Sequence, residues 1–203
     1  MSDLQPTRTF ASLGVPAPIV AALAAGGITA PFPIQAITLT DSLAGRDLLG
    51  RGKTGSGKTI AFAIPLVTAL AKSDERTRQG SPRGLVLVPT RELAVQVSEE
   101  IRKLSNFMDD VRILAIYGGR SIDEQFKHLK RGVDIVVGTP GRIIDHLHRK
   151  TLDLSEVEFL VLDEADRMLD MGFIEDIDFI LSKLPEKRQS MLFSATIPEG
   201  VRK

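Results

Sequence analysis

The sequence has no cysteine and no tryptophan, a single tyrosine and no formal net charge. Without cysteine there are no disulfides, no thiolate metal ligands and no cysteine nucleophile, which agrees with a reducing compartment. With 26 basic residues against 26 acidic ones, bulk electrostatics does not announce a nucleic-acid binder. Any such role must rest on local residues. So few aromatics that carry a polar edge argue against a surface of platforms stacking successive bases, so a bound strand would be held by its backbone. Also missing is any apolar run near the ~20 residues needed to cross a bilayer. The stretch from Met1 to Phe10 lacks the apolar segment of a signal peptide, and the expected location is the cytoplasm.

What is present suits one α/β core: 203 residues, 43% hydrophobic and 26% charged, expected to form a single domain over residues 1–203. Near-continuous apolar runs recur at Leu48-Leu49, Leu85 to Val88, Ile113 to Tyr117, Ile135 to Val137, Phe159 to Leu162 and Met191 to Phe193. Strands buried on both faces have this look. Between them lie stretches with helical spacing, such as Leu93, Val97, Ile101 and Leu104, or Ile122, Phe126 and Leu129. Alternation of strand and helix predicts a mostly parallel sheet covered by helices on both faces. Lys72 to Pro82 is rich in turn formers and is expected to be a mobile surface connection. In open sheets of this class ligands bind beyond the carboxyl ends of the strands.

The residues after the first run are Gly52-Lys53-Thr54-Gly55-Ser56-Gly57-Lys58-Thr59, which fit the P-loop pattern in full. Glycines let the backbone curl so that several N–H groups converge on phosphate oxygens, and a helix starting near Lys58 adds its positive end. Lys58 is expected to reach the outer phosphates of ATP and the Thr59 hydroxyl to serve Mg²⁺. The alternative is a plain glycine-rich turn, but the pattern sits after a strand and before the apolar helix Ile60 to Leu70, as its mechanism requires. Hydrolysis further needs a carboxylate at the end of another buried strand. Phe159 to Leu162 runs into Asp163-Glu164-Ala165-Asp166. Asp163 is placed to hold Mg²⁺ or its waters, and Glu164 to orient the attacking water and accept its proton. Two acids at a strand end are alone also explained by a helix N-terminus, which favours them.

The string Asp163-Glu164-Ala165-Asp166 after a P-loop resembles the DEAD-box helicase family, and further strings agree in the family's order. Phe10 followed by Gly27 to Gln35 is similar to its adenine-reading motif. Pro89-Thr90-Arg91-Glu92-Leu93-Ala94, Gly118-Gly119 and Thr139-Pro140-Gly141-Arg142 resemble its RNA-backbone motifs, and Ser194-Ala195-Thr196 the motif that couples hydrolysis to strand separation. The resemblance implies a three-layer RecA-like domain that binds Mg-ATP and one side of an RNA backbone. The Gln35 amide suits adenine's N6 amine and N7 acceptor together, so ATP is expected over GTP. Phe10 offers a face for the base or, alternatively, is core. Arg91 and Arg142 supply forked cationic donors, while Gly118, Gly119 and Gly141 leave backbone N–H groups open to phosphates. Gly118-Gly119 also reads as a turn, and Thr139-Pro140 as a helix start with Thr139 as cap. Ser194 and Thr196 are expected to hydrogen-bond the Asp166 carboxylate, or else to be strand-end chemistry.

Gly52, Lys53 and Phe32 depart from the commonest family pattern, and Lys53 adds a cation near the triphosphate. The family carries a second RecA-like domain that donates arginines to the γ-phosphate. The present chain is therefore expected to be a monomeric piece of a longer polypeptide, with almost no hydrolysis or unwinding alone. Competing readings are a P-loop enzyme of another class, such as a small-molecule kinase or a DNA motor, and a non-enzymatic RNA-binding module. No acceptor pocket or lid is legible for a kinase, and the intact set Lys58, Thr59, Asp163 and Glu164 argues against a relic.

Overall fold

Each of the six apolar runs becomes a strand in the computed structural model, which describes residues 8–53, 55–71, 77–108 and 111–197. The strands are β1 (Leu48–Arg51), β2 (Gly84–Leu87), β3 (Ile113–Ile116), β4 (Ile135–Gly138), β5 (Phe159–Leu162) and β6 (Gln189–Ser194). They form one sheet in the order β1-β6-β5-β2-β4-β3, and every neighbouring pair is parallel. Helices α1 (Ala17–Ala25) and α2 (Pro33–Leu43) precede β1, and the connections carry α3 (Lys58–Ala71), α4 (Arg91–Ser105), α5 (Ile122–Lys130), α6 (Pro140–His148), α7 (Ala165–Asp170) and α8 (Ile174–Leu181).

Alternation along β2 shows how the layers separate. Val86 and Val88 join the core built from α1 to α4, whereas Leu85 and Leu87 join the core under α5 to α8. Because successive strand side chains point to opposite faces, a run that is apolar throughout is the signature of a sheet covered on both sides. The expected α/β three-layer architecture is therefore present. Among the described residues no helix is long and apolar enough to cross a membrane.

One expectation needs correction. Of the supposed mobile connection, Thr77 to Pro82 is anchored: Arg78 and Ser81 form a bridge, Gly80 N–H donates to Leu129 O at 3.1 Å, and Gly80 O accepts from Asp153 N–H at 2.8 Å. Residues 72–76 lie outside the described residues. The helical spacing at Ile122, Phe126 and Leu129 is that of α5, whose inward face is made by Gln125 and Leu129, while Phe126 is half-buried, with Lys130 Nζ 4.7 Å above its ring.

Candidate nucleotide and RNA site

The sheet order sorts the motifs. The carboxyl ends of β1, β6 and β5 carry the glycine turn, Ser194 to Thr196, and Asp163-Glu164, whereas those of β2, β4 and β3 carry Pro89 to Arg91, Thr139 to Arg142, and Gly118-Gly119. Strings that are scattered in sequence thus become two adjoining halves of one sheet edge, with the β5–β2 pair as their junction.

In the first half, α3 begins at Lys58, and its ammonium lies 3.8 Å from Asp163 Oδ1 with both side chains almost wholly buried. Burial pushes the Asp163 carboxyl up to about 6; the Lys58 cation opposes that rise and Glu164 adds to it. A carboxylate in this position depends on a cation to stay charged at neutral pH, which suits a group that meets a metal. The glycine turn is shaped to take a ligand. Ser56 Oγ is buried without a hydrogen-bond partner, and a Cβ on Gly52 would come within 2.8 Å of that oxygen. Gly57 sits at φ +82°, and a Cβ there would meet Gln35 Nε2 at 2.5 Å, so both the conformation and the space demand glycine. Thr54 lies outside the described residues. The donor set fits a magnesium nucleotide: Lys58 and the turn for phosphate, and Thr59 with Asp163 for a metal that keeps most of its waters.

Glu164 occupies the left-handed region, φ 51° and ψ 48°, as the N-cap of α7. That conformation costs about 1–2 kcal/mol for a residue with a Cβ. Two contacts hold it: its N–H donates to Asp163 Oδ1 at 3.0 Å, and Arg167 Nη1 meets its Oε2 at 3.3 Å. Nothing in the sequence signals this strain.

Asp166 receives Thr196 twice at Oδ2, from the backbone N–H and from Oγ1, each at 3.0 Å. Ser194 acts differently from expectation. Its hydroxyl accepts the Asp166 backbone N–H at 3.2 Å and donates to Thr196 O. Partial burial would raise the Asp166 pKa, but the hydrogen bonds its carboxylate accepts from Thr196 and the Arg167 N–H outweigh it and leave it below the usual value.

The adenine-side expectations are corrected in part. Phe10 is 2% exposed and packs in the core, so it presents no free face to a base. Gln35 is also fully buried; its Oε1 accepts the Phe32 N–H at 3.0 Å and its Nε2 donates to Gly57 O at 3.0 Å. The amide ties the start of α2 to the P-loop; its second N–H and second lone pair are not exposed, so Gln35, like Phe10, is not open to a base in this conformation.

In the second half, glycines and one arginine are exposed. Gly118, Gly119 and Gly141 lie at the surface, and open space surrounds a Cβ built on Gly118 or Gly141. Packing does not require glycine there, whereas a strand's backbone approaching closely would. Arg91 is exposed, stands 5.4 Å over the Tyr117 ring, and lies beside Gly119. Thr90 caps α4 by accepting the Leu93 N–H at 3.3 Å; Thr139 stands at the N-cap of α6 without making a capping bond. Pro89 and Pro140 are buried, which corrects their expected contact role: they shape the turns instead. Arg142 points mostly inward, its Nη1 donating to Arg120 O at 2.8 Å and Gln125 Oε1 at 3.2 Å. It is a strut more than an open phosphate donor.

Sequence reasoning missed the polar network behind that strut. Gln125 Nε2 donates to Tyr117 O at 3.0 Å, and its Oε1 also faces His146 Nε2 at 3.0 Å; His146 Nδ1 lies 2.7 Å from Thr151 Oγ1. Because Oε1 is an acceptor, Nε2 of the histidine carries the proton. The available signal was spacing: Gln125 is four residues before the buried Leu129, and His146 three after the buried Ile143.

A parallel sheet with a glycine turn after its edge strand, a lysine at the start of the next helix and a buried acid at the end of β5 defines a P-loop nucleotide-binding domain. The match to known sequences is narrower. The family model described as DEAD/DEAH box helicase matches residues 32–203, and the chain belongs to that family. It is 53% identical over 195 residues to a protein named ATP-dependent RNA helicase DeaD from Klebsiella pneumoniae, covering 96% of this chain and 30% of that protein. It is 50% identical over 194 residues to DEAD-box ATP-dependent RNA helicase 9, mitochondrial, from Arabidopsis thaliana, covering 95% of this chain and 31% of the relative. The crystal structure of a DEAD box protein from Methanococcus jannaschii superposes with a TM-score of 0.85 at 40% identity, over 96% of this chain and 52% of that one. The chain thus spans about a third of the length of such curated relatives.

Proposed function

We propose that this chain is the ATP-binding half of an ATP-dependent RNA helicase, which in the complete protein couples ATP hydrolysis to local separation of RNA strands. The observation that carries the reading is the 3.8 Å approach of Lys58 to Asp163 beneath the glycine turn, on the same sheet edge as the exposed Gly118, Gly119 and Gly141. Lys58 exchanges its partner Asp163 for phosphate; the turn's N–H groups bind phosphate oxygens; Thr59 and Asp163 would hold Mg²⁺, which would supply charge neutralisation at the phosphates. Glu164 orients water and takes its proton once its carboxylate leaves Arg167. The backbone at Gly118, Gly119 and Gly141, with Thr90, Arg91 and Thr139, binds RNA phosphates without reading bases.

In this proposal a second RecA-like domain supplies the arginines that complete catalysis, the isolated domain is monomeric and nearly inactive, and the protein works in the cytoplasm. A DNA motor or a non-enzymatic RNA-binding module remains the competing assignment, and ATP turnover by the complete protein, with RNA or DNA added, separates them. Stimulation by RNA alone is expected; equal stimulation by both, or by DNA alone, would overturn the RNA assignment. Glu164→Gln should leave ATP bound but uncleaved and Lys58→Ala should weaken binding. Normal turnover in Glu164→Gln would remove Glu164 as the base.

A further inference from the structure

An exposed aromatic beside the phosphate turn is out of keeping with a chain that buries most of its large apolar side chains. Phe32 is 48% exposed, although it sits where the chain enters α2 and next to the P-loop. Its N–H is held by Gln35 Oε1, and Gln35 in turn holds Gly57 O. A Cβ placed on Gly57 would lie 3.1 Å from Phe32 Cδ2 and 3.3 Å from its Cβ, so the ring stands directly against the last glycine of the turn. Phe10, the aromatic expected to meet the base, is in the core at 2% exposure.

We propose that Phe32 is the aromatic surface on which the nucleotide base rests, held against the glycine turn by the buried Gln35. This rests on the nucleotide-binding reading above. A ring face accepts any base and adds affinity, because water leaves both apolar surfaces and stacking is indifferent to base identity. Truncating Phe32 should therefore lower affinity for ATP and GTP together and leave their ratio unchanged.

The absence of tryptophan provides the test. Phe32→Trp creates the sole tryptophan of these 203 residues at an exposed position. Its emission is followed on addition of Mg-ATP and, separately, of magnesium tripolyphosphate, which fills the phosphate turn but has no base, with calorimetry recording binding of each. Mg-ATP should change the emission and tripolyphosphate should not; Phe32→Ala should weaken Mg-ATP about tenfold while leaving tripolyphosphate within twofold, and Phe32→Tyr should restore ATP binding. Binding of Mg-ATP with silent tryptophan emission, or an equal loss of both ligands in Phe32→Ala, would overturn the proposal while sparing the phosphate site. Failure of the unaltered protein to bind either ligand would overturn both.

Discussion

Gln125→Ala should destabilise the domain far more than a glutamine on a polar helix would suggest. Gln125 is 5% exposed and its amide serves three partners, the buried Tyr117 O and His146 Nε2 and the half-buried Arg142 Nη1. Each hydrogen bond contributes about 1 kcal/mol net, and partners left buried and unmet cost more, so a loss of about 3–4 kcal/mol is expected. Against a total stability of roughly 5–15 kcal/mol that is severe. For a chain of this size each kcal/mol moves the melting temperature by about 2–4 °C, which puts the shift near 6–16 °C. Lys127→Ala, at an exposed position on the same helix, should stay within about 0.5 kcal/mol. The network also fixes the turn before Gly118 and the Arg142 guanidinium, so Gln125→Ala should weaken RNA binding while Mg-ATP binding is retained. Urea and thermal unfolding, with RNA binding measured on the folded fraction, decide the matter. A Gln125→Ala variant as stable as Lys127→Ala would refute the claim that this network joins the two RNA-side turns.

Burial, then the Arg142 charge, lowers the His146 pKa to about 4; Asp145 opposes the shift and Arg149 adds to it. Because the folded value lies below the unfolded one, the folded state binds fewer protons; at most about 3 kcal/mol of stability, present above pH 6.5, is lost as pH falls through 4. Unfolding measured from pH 7.5 to 4 should show that loss and His146→Gln should flatten it; identical curves would remove the assignment. Glu164→Gly should relieve the left-handed conformation and raise the unfolding free energy by up to about 1 kcal/mol while abolishing hydrolysis in the complete protein; a clear destabilisation would mean that the Arg167 contact outweighs the strain. Thr196→Val removes one of the two bonds from Thr196 to the Asp166 carboxylate and should raise that group's pKa, seen by carbon-detected NMR titration; an unchanged titration would show that the backbone N–H alone sets it.

The sequence alone allowed all six strands to be placed, because strands buried on both faces are apolar throughout and leave no competing period. The P-loop and the acidic pair were equally legible, since their chemistry requires fixed residue types at fixed spacing. What escaped was the direction and conformation of single side chains. Phe10 and Phe32 are alike in one dimension, yet one is core and the other surface. Arg142 reads as a phosphate donor until the acceptors at Arg120 O and Gln125 Oε1 turn it inward. The strain at Glu164 arises where β5 hands over to α7, and no residue preference at that position reports it.

Titration calorimetry of Mg-ATP against the protein and its Lys58→Ala variant tests the central claim most directly. One equivalent should bind the unaltered chain, and the variant should lose most of that affinity, because its glycine turn keeps the backbone donors but not the ammonium that stands 3.8 Å from Asp163. Equal affinity in the two proteins, or no binding by either, would contradict the account.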